Sequence, residues 1–154
     1  MQIGELAAIT STQVVTVRFY EREGLLPEPA RNEGNYRIYD ETHVARLSFI
    51  RRCRTLDMDL DEIRTLLRFK DAPEENCGEV NALLDDHIQH VGTRIKELRK
   101  LEAELKALRS ACGEAQEAVR CGILKQLSDA PVAAVEASRS HVGRVHGGPR
   151  KVQR

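Results

Sequence analysis

NCGEVNALLDDHIQHVGTRIKELRKLEAELKALRSACG, residues 76–113, carries a regular apolar seam through an otherwise polar segment and has a cysteine near each end. No proline falls between Pro73 and Pro131, and Asn76 with Glu79 three residues on has the form of a capped helix start. Gly113 supplies a residue that readily takes the left-handed conformation after a helix, so a helix over 77–112 is expected. Leu84, Ile88, Val91, Ile95 and Leu98 step by four and three, and Leu101, Leu105, Leu108 and Cys112 resume the pattern after one slip. This is a coiled-coil seam, and it needs a partner.

Such a helix is roughly 50 Å long at about 1.5 Å per residue, so Cys77 and Cys112 of one chain cannot meet along it. They can meet across subunits. In an antiparallel homodimer Cys77 of one chain lies beside Cys112 of the other, giving two equivalent sites related by a twofold axis. A parallel pairing would set Cys77 against its own copy and leave Cys112 far away.

The 154 residues suffice for one small globular head and an extended helix. All six aromatic residues lie within the first 70, which places the conventional core there. No apolar run approaches the length of a membrane span and no signal-peptide pattern opens the chain, so a cytoplasmic protein without a membrane partner is expected. Four cysteines in a reducing compartment read as ligands, reactive thiols or small core residues before they read as a disulfide framework. The net charge is zero, and charge alone does not suggest DNA.

Ile3–Ala8 reads as a short amphipathic helix and Thr12–Glu23 as a second, with Ser11 or Thr12 as its cap. The pair has the form of a helix-turn-helix offering Gln13, Val15, Thr16 and Arg18 to a major groove, or of any small helical pair. Asn32-Glu33-Gly34-Asn35 is turn-forming and Tyr36–Tyr39 alternates like a strand, which suggests a hairpin or wing. At its tip the Tyr36 hydroxyl and the Arg37 guanidinium can reach phosphates. Asp40 caps a third helix to about Arg54, in which Arg46, Arg51, Arg52 and Arg54 form either a solvated face or a phosphate-binding cluster. Cys53 in that helix reads as core packing. Leu60–Phe69 forms a fourth helix with Ile63, Leu66 and Leu67 on its buried face. The organisation is thus a head over 1–70, a hinge over 71–76, the dimerisation helix 77–112, a loop and short helix over 113–128, and a tail over 129–154.

Four stretches in this order (Ile3–Ala7, Thr16–Leu26, Asn35–Tyr39 and Phe49–Met58) resemble the bacterial MerR-type transcription regulators, and the resemblance runs to about residue 127. It implies a mainly α protein with a winged helix-turn-helix head and an antiparallel coiled-coil dimer. It also implies a promoter-bound activator, not an enzyme, that distorts DNA for RNA polymerase when its effector binds. By the family pattern Thr16, Arg18 and Tyr20 match groove or backbone contacts, and Tyr36 and Arg37 match wing contacts to phosphate.

Cys112 and Cys121 can face each other across the polar loop after Gly113, and the partner's Cys77 would supply a third sulfur. Three thiolates select soft or borderline ions over hard, oxygen-preferring cations. Cys77 lies at the positive end of its helix, which favours its thiolate. In the family a cysteine at this position marks sensors of divalent ions, where copper-type sensors carry serine. Cys77–Asn81 and Cys121–Leu124 look most like the cadmium- and lead-responsive branch, with Cd²⁺ favoured and Pb²⁺ next; Hg²⁺ and Zn²⁺ sensing are the alternatives. His87 and His90 of one chain with His141 and His146 of the other form a candidate second metal site, or are solvated surface. A thiol enzyme is disfavoured by the absence of a Cys-x-x-Cys pair and of a nucleotide-binding glycine loop, and a metal buffer would leave the head without a purpose.

Overall fold

The structure is a computed structural model and describes residues 1–129. Its elements in chain order are α1 (Ile3–Ile9), α2 (Val14–Arg22), β1 (Ala30–Arg31), β2 (Arg37–Ile38), α3 (Glu41–Thr55), α4 (Leu60–Asp71), α5 (Gly78–Arg109), a 3₁₀ turn (Ala118–Arg120) and α6 (Gly122–Asp129). The fold is mainly helical, as expected. Contacts divide the chain into two compact units, one comprising Met1–Leu84 and the other beginning at Asp85. No helix among the described residues is long and apolar enough to cross a membrane.

The first unit closes on a core of Leu6, Val17, Leu25, Tyr39, Leu47, Ile50, Ile63 and Leu67, all buried. These come from all four head helices and the segments between them, so the short α1 and α2 are held by packing more than by their own length. Cys53 lies in this core at 5% exposure, as its apolar surroundings in the sequence suggest, and burial raises its thiol pKa. Asp40 caps α3 by accepting from the Thr42 and His43 amides at 3.0 and 3.3 Å. Hydrogen bonds from Thr42 and His43 hold its carboxyl well below the usual range. Asp59 and Glu62 form a reciprocal capping box at the start of α4, which spans Leu60–Asp71 and buries Ile63 and Leu67 while Leu66 is only partly covered.

Three local expectations need correction. Neither Ser11 nor Thr12 caps α2. Ser11 takes a left-handed φ of 49°, the Thr12 hydroxyl donates to the Thr10 carbonyl at 3.2 Å, and Gln13 occupies the cap position. The long helix ends at Arg109 and not at Cys112, because its last turn tightens: Ala111 and Cys112 donate to the Leu108 and Arg109 carbonyls at 3.1 and 3.3 Å. The Arg109 guanidinium then takes the Cys112 carbonyl at 2.5 Å, and Gly113 does not adopt the left-handed conformation that would mark a helix end. At the other end Asn76 accepts from the Gly78 amide at 2.8 Å, while the Glu79 carboxylate meets Arg68 of α4 at 2.7 Å.

The arginines of α3 also resolve. Arg46 donates to the Leu25 carbonyl at 2.7 Å and to both oxygens of Asp71 at 2.8 Å, Arg51 donates to the Thr10 carbonyl, and Arg54 to the Met58 carbonyl at 2.9 Å. Three of the four therefore tie loops to the helix. Only Arg52 fits the picture of a plain exposed face.

In the second unit the seam of α5 is left uncovered. Ile88 is 66% exposed, Leu98 47% and Leu105 57%. Apolar side chains at this spacing along one helix would be covered in a folded coiled coil, so the pattern is that of a helix awaiting a partner.

Candidate metal centre and DNA-binding surface

The helix-turn-helix and the wing converge on one side of the head. β1 and β2 pair antiparallel with Ala30 opposite Ile38 and Arg31 opposite Arg37. Their connection is shaped by Asn32 and Asn35: Asn32 Oδ1 accepts from the Tyr36 amide at 2.9 Å, and Asn35 takes φ 63°. This leaves Tyr36 66% exposed at the tip. Arg18 of α2, Asn35, Tyr36 and Arg37 line one recess together with Gln2 of α1. Arg37 lies 3.8 Å from Glu21, whose carboxylate also accepts from the Tyr39 hydroxyl at 2.5 Å. Burial and then Glu21 push the Tyr39 phenol above its ordinary range, so it stays a donor that anchors the base of the wing to α2.

A second groove, of about 720 Å³, runs along the opposite flank of α2, lined by Gln13, Thr16, Tyr20, Arg51 and Arg54 among others. Thr16 is half-buried there, and Tyr20 is 6% exposed with burial raising its phenol pKa. Tyr20 is thus chiefly a core residue that presents an edge to this groove. The five family-matched positions accordingly fall into two sets, Arg18, Tyr36 and Arg37 in the recess and Thr16 and Tyr20 in the groove. Arg51 and Arg54 belong with the second set, a placement sequence reading left open because their carbonyl partners lie in distant loops or turns.

In the second unit, Cys112 and Cys121 are brought together. Cys121 directly precedes α6, and its sulfur faces the Leu124 and Ile123 amides and hydrogen-bonds with the Cys112 side chain. The amide hydrogen bonds, foremost that from Leu124, lower the Cys121 thiol pKa. Cys112 Sγ also lies 3.3 Å from the Glu114 carbonyl oxygen. The closeness is built into the backbone, because a Cβ at Gly122 would overlap the Ala111 carbonyl oxygen. Only glycine lets the start of α6 lie against the end of the preceding turn. The sequence signal for this was the glycine directly after Cys121.

Two adjacent sulfurs, one of them held toward its thiolate, fit a soft divalent ion and fall short of a full coordination shell. Among the described residues no group of three or more metal-ligating side chains forms within one chain. Cys77 is exposed beside the first turn of α5. Of the candidate histidine set, His87 is buried and His90 exposed, and His141 and His146 lie outside the described residues.

Residues 1–70 match the model of the MerR HTH family regulatory proteins, and residues 44–108 match the model described as MerR, DNA binding. The chain is 48% identical over 109 residues to the HTH-type transcriptional regulator ZntR homolog of Haemophilus influenzae, covering 71% of this chain and 81% of that protein. It is similar to the crystal structure of a transcription regulator from Ralstonia metallidurans in complex with lead(II), at 61% identity and a TM-score of 0.73 over 82% of this chain and 98% of that one. It is also similar to the mercury(II)-bound MerR of Bacillus megaterium, at 32% identity and a TM-score of 0.62 over 83% of this chain and 99% of that one.

Proposed function

This chain belongs to the MerR family of DNA-binding transcription regulators, and on that premise we propose that it is a metal-responsive activator whose effector is held between two subunits. Cys112 and Cys121 of one chain would hold a soft divalent ion together with the partner's Cys77, and the ion would supply three metal–thiolate bonds joining the loop to the partner's α5. The observation that carries this reading is the Cys112–Cys121 sulfur pair, which is preformed and lacks a third donor within its own chain. The half-exposed seam of α5 supports an antiparallel homodimer as the source of that donor.

The division of labour follows from where the residues lie. Arg18, Tyr36 and Arg37 in the recess, and Thr16 and Tyr20 in the groove, would hold promoter DNA with or without metal. The site would act by being better formed when the two heads hold the DNA distorted for RNA polymerase, since a ligand shifts an equilibrium only by its differential affinity. Cadmium was favoured on sequence alone; the 61% identity to a lead-bound regulator makes lead the first ion to test, with zinc and mercury as competitors.

Cys112→Ser tests the reading. The variant is expected to retain operator binding in a gel shift with promoter DNA and to lose induction by lead or cadmium in a reporter assay. Full induction of this variant would remove Cys112 from the site, and loss of metal-free operator binding would overturn the separation of binding from sensing.

A further inference from the structure

Two thiols in side-chain contact, half-exposed and joined by an eight-residue loop, can do more than share an ion. Cys121 Sγ faces the Ile123 and Leu124 amides at the start of α6, an arrangement that stabilises negative charge on sulfur and so nucleophilic attack. Cys112 Sγ stands next to it, as a resolving thiol must. The contact does not depend on side-chain rotamers alone, since Gly122 packs on the Ala111 backbone and fixes the separation of the two segments. The other cysteines differ: Cys53 is 5% exposed in the head core, and Cys77 is exposed at the far end of α5.

We propose that Cys112 and Cys121 are a peroxide-oxidisable dithiol that closes an intramolecular disulfide. Cys121 sulfur, as thiolate, attacks one peroxide oxygen; an S–O bond forms, the O–O bond breaks, and the departing hydroxide leaves as water with the proton the thiol gave up. Cys112 sulfur then attacks the sulfenic sulfur; the S–S bond forms, the S–O bond breaks, and the hydroxide leaves as a second water with the Cys112 proton. Two thiols lose two electrons and two protons, and one peroxide is reduced to two waters. The disulfide requires no metal. Its consequence rests on the functional reading above: two of the three sulfur donors are withdrawn, so oxidised protein loses its response to the ion while its head still binds DNA.

The experiment uses the full, metal-free chain treated with hydrogen peroxide, with the remaining thiols then alkylated and the digest examined by mass spectrometry. The expected product links Cys112 to Cys121 with loss of two hydrogens, is reversed by dithiothreitol, and forms at least about tenfold faster than Cys77 oxidises, because susceptibility follows thiolate character and a nearby resolving thiol. Cys53 should stay reduced. A disulfide between chains through Cys77, a sulfinic acid at Cys121 without the disulfide, or equal rates at Cys77 and Cys121 would each overturn the proposal. In a Cys112→Ser chain the sulfenic acid should persist at Cys121 and be trapped by dimedone; absence of trapping there would also overturn it. Lead(II) titration monitored by thiolate–lead absorbance separates the two readings. No band in reduced protein sinks the metal site and leaves the disulfide standing, whereas a normal band without a disulfide sinks the oxidation proposal alone.

Discussion

The head and the long helix spend the same residue types differently. Leu47, Ile50 and Ile63 in the head are wholly withdrawn from water, whereas Ile88, Leu98 and Leu105 of α5 keep about half or more of their surface exposed in a single chain. The head completes its apolar burial within one chain, and the helix defers its own to a second copy. A change in the head should therefore act on folding at any protein concentration, and a change in the seam on association.

The sharpest way to test that contrast is Leu47→Ala. Leu47 is fully buried among the helices of the head, so the substitution leaves a cavity and should cost about 2–5 kcal/mol of head stability. Denaturant unfolding should register the loss identically across a wide range of protein concentration. A concentration-dependent loss would mean that the head, too, is completed by a partner.

Leu98→Lys addresses the other side and comes next in size. It should leave head melting unchanged and weaken association by at least about 2 kcal/mol, roughly 30-fold in dissociation constant, because a leucine on the seam is replaced by a charge that must be buried or displaced. Sedimentation equilibrium gives the measure. An unaltered dimer would show that Leu98 lies off the interface, and would remove the third sulfur donor proposed above along with the antiparallel pairing.

The same contrast governs what could be read from sequence. The seam and the Asp40 cap were legible because they depend on spacing along the chain, as were the aromatic head and the wing. The start of α2 was not, since Ser11 sits in a left-handed turn that its residue type does not advertise. The arginines of α3 were ambiguous because Arg46 finds Leu25 and Asp71, and Arg51 finds Thr10, across separations that only the folded head creates. For the cysteines, sequence spacing shows that Cys112 and Cys121 border one loop. It does not show that Gly122 lies against the Ala111 carbonyl, and that backbone contact is what brings the sulfurs together.

The smallest effect concerns the joint inside the first unit, where α4 meets the start of α5. Arg68 donates to Glu79 at 2.7 Å, lies 3.9 Å from Glu75 and rests over the Phe69 ring at 4.5 Å, so it ties α4 to the turn that follows Cys77. The group is more than half exposed, and an exposed ion pair contributes less than about 1 kcal/mol, screened further by salt. Arg68→Ala should accordingly leave head stability and operator affinity almost unchanged. If the joint carries the metal signal toward the head, the same variant should lower maximal induction by up to about fivefold, the factor that 1 kcal/mol allows. Lead(II) affinity should stay as it was, and Arg68→Lys should recover part of the induction by keeping the charge. Induction that is unchanged in Arg68→Ala at low ionic strength, where such a pair is strongest, would leave the covalent chain through residues 71–76 as the route between sensor and head.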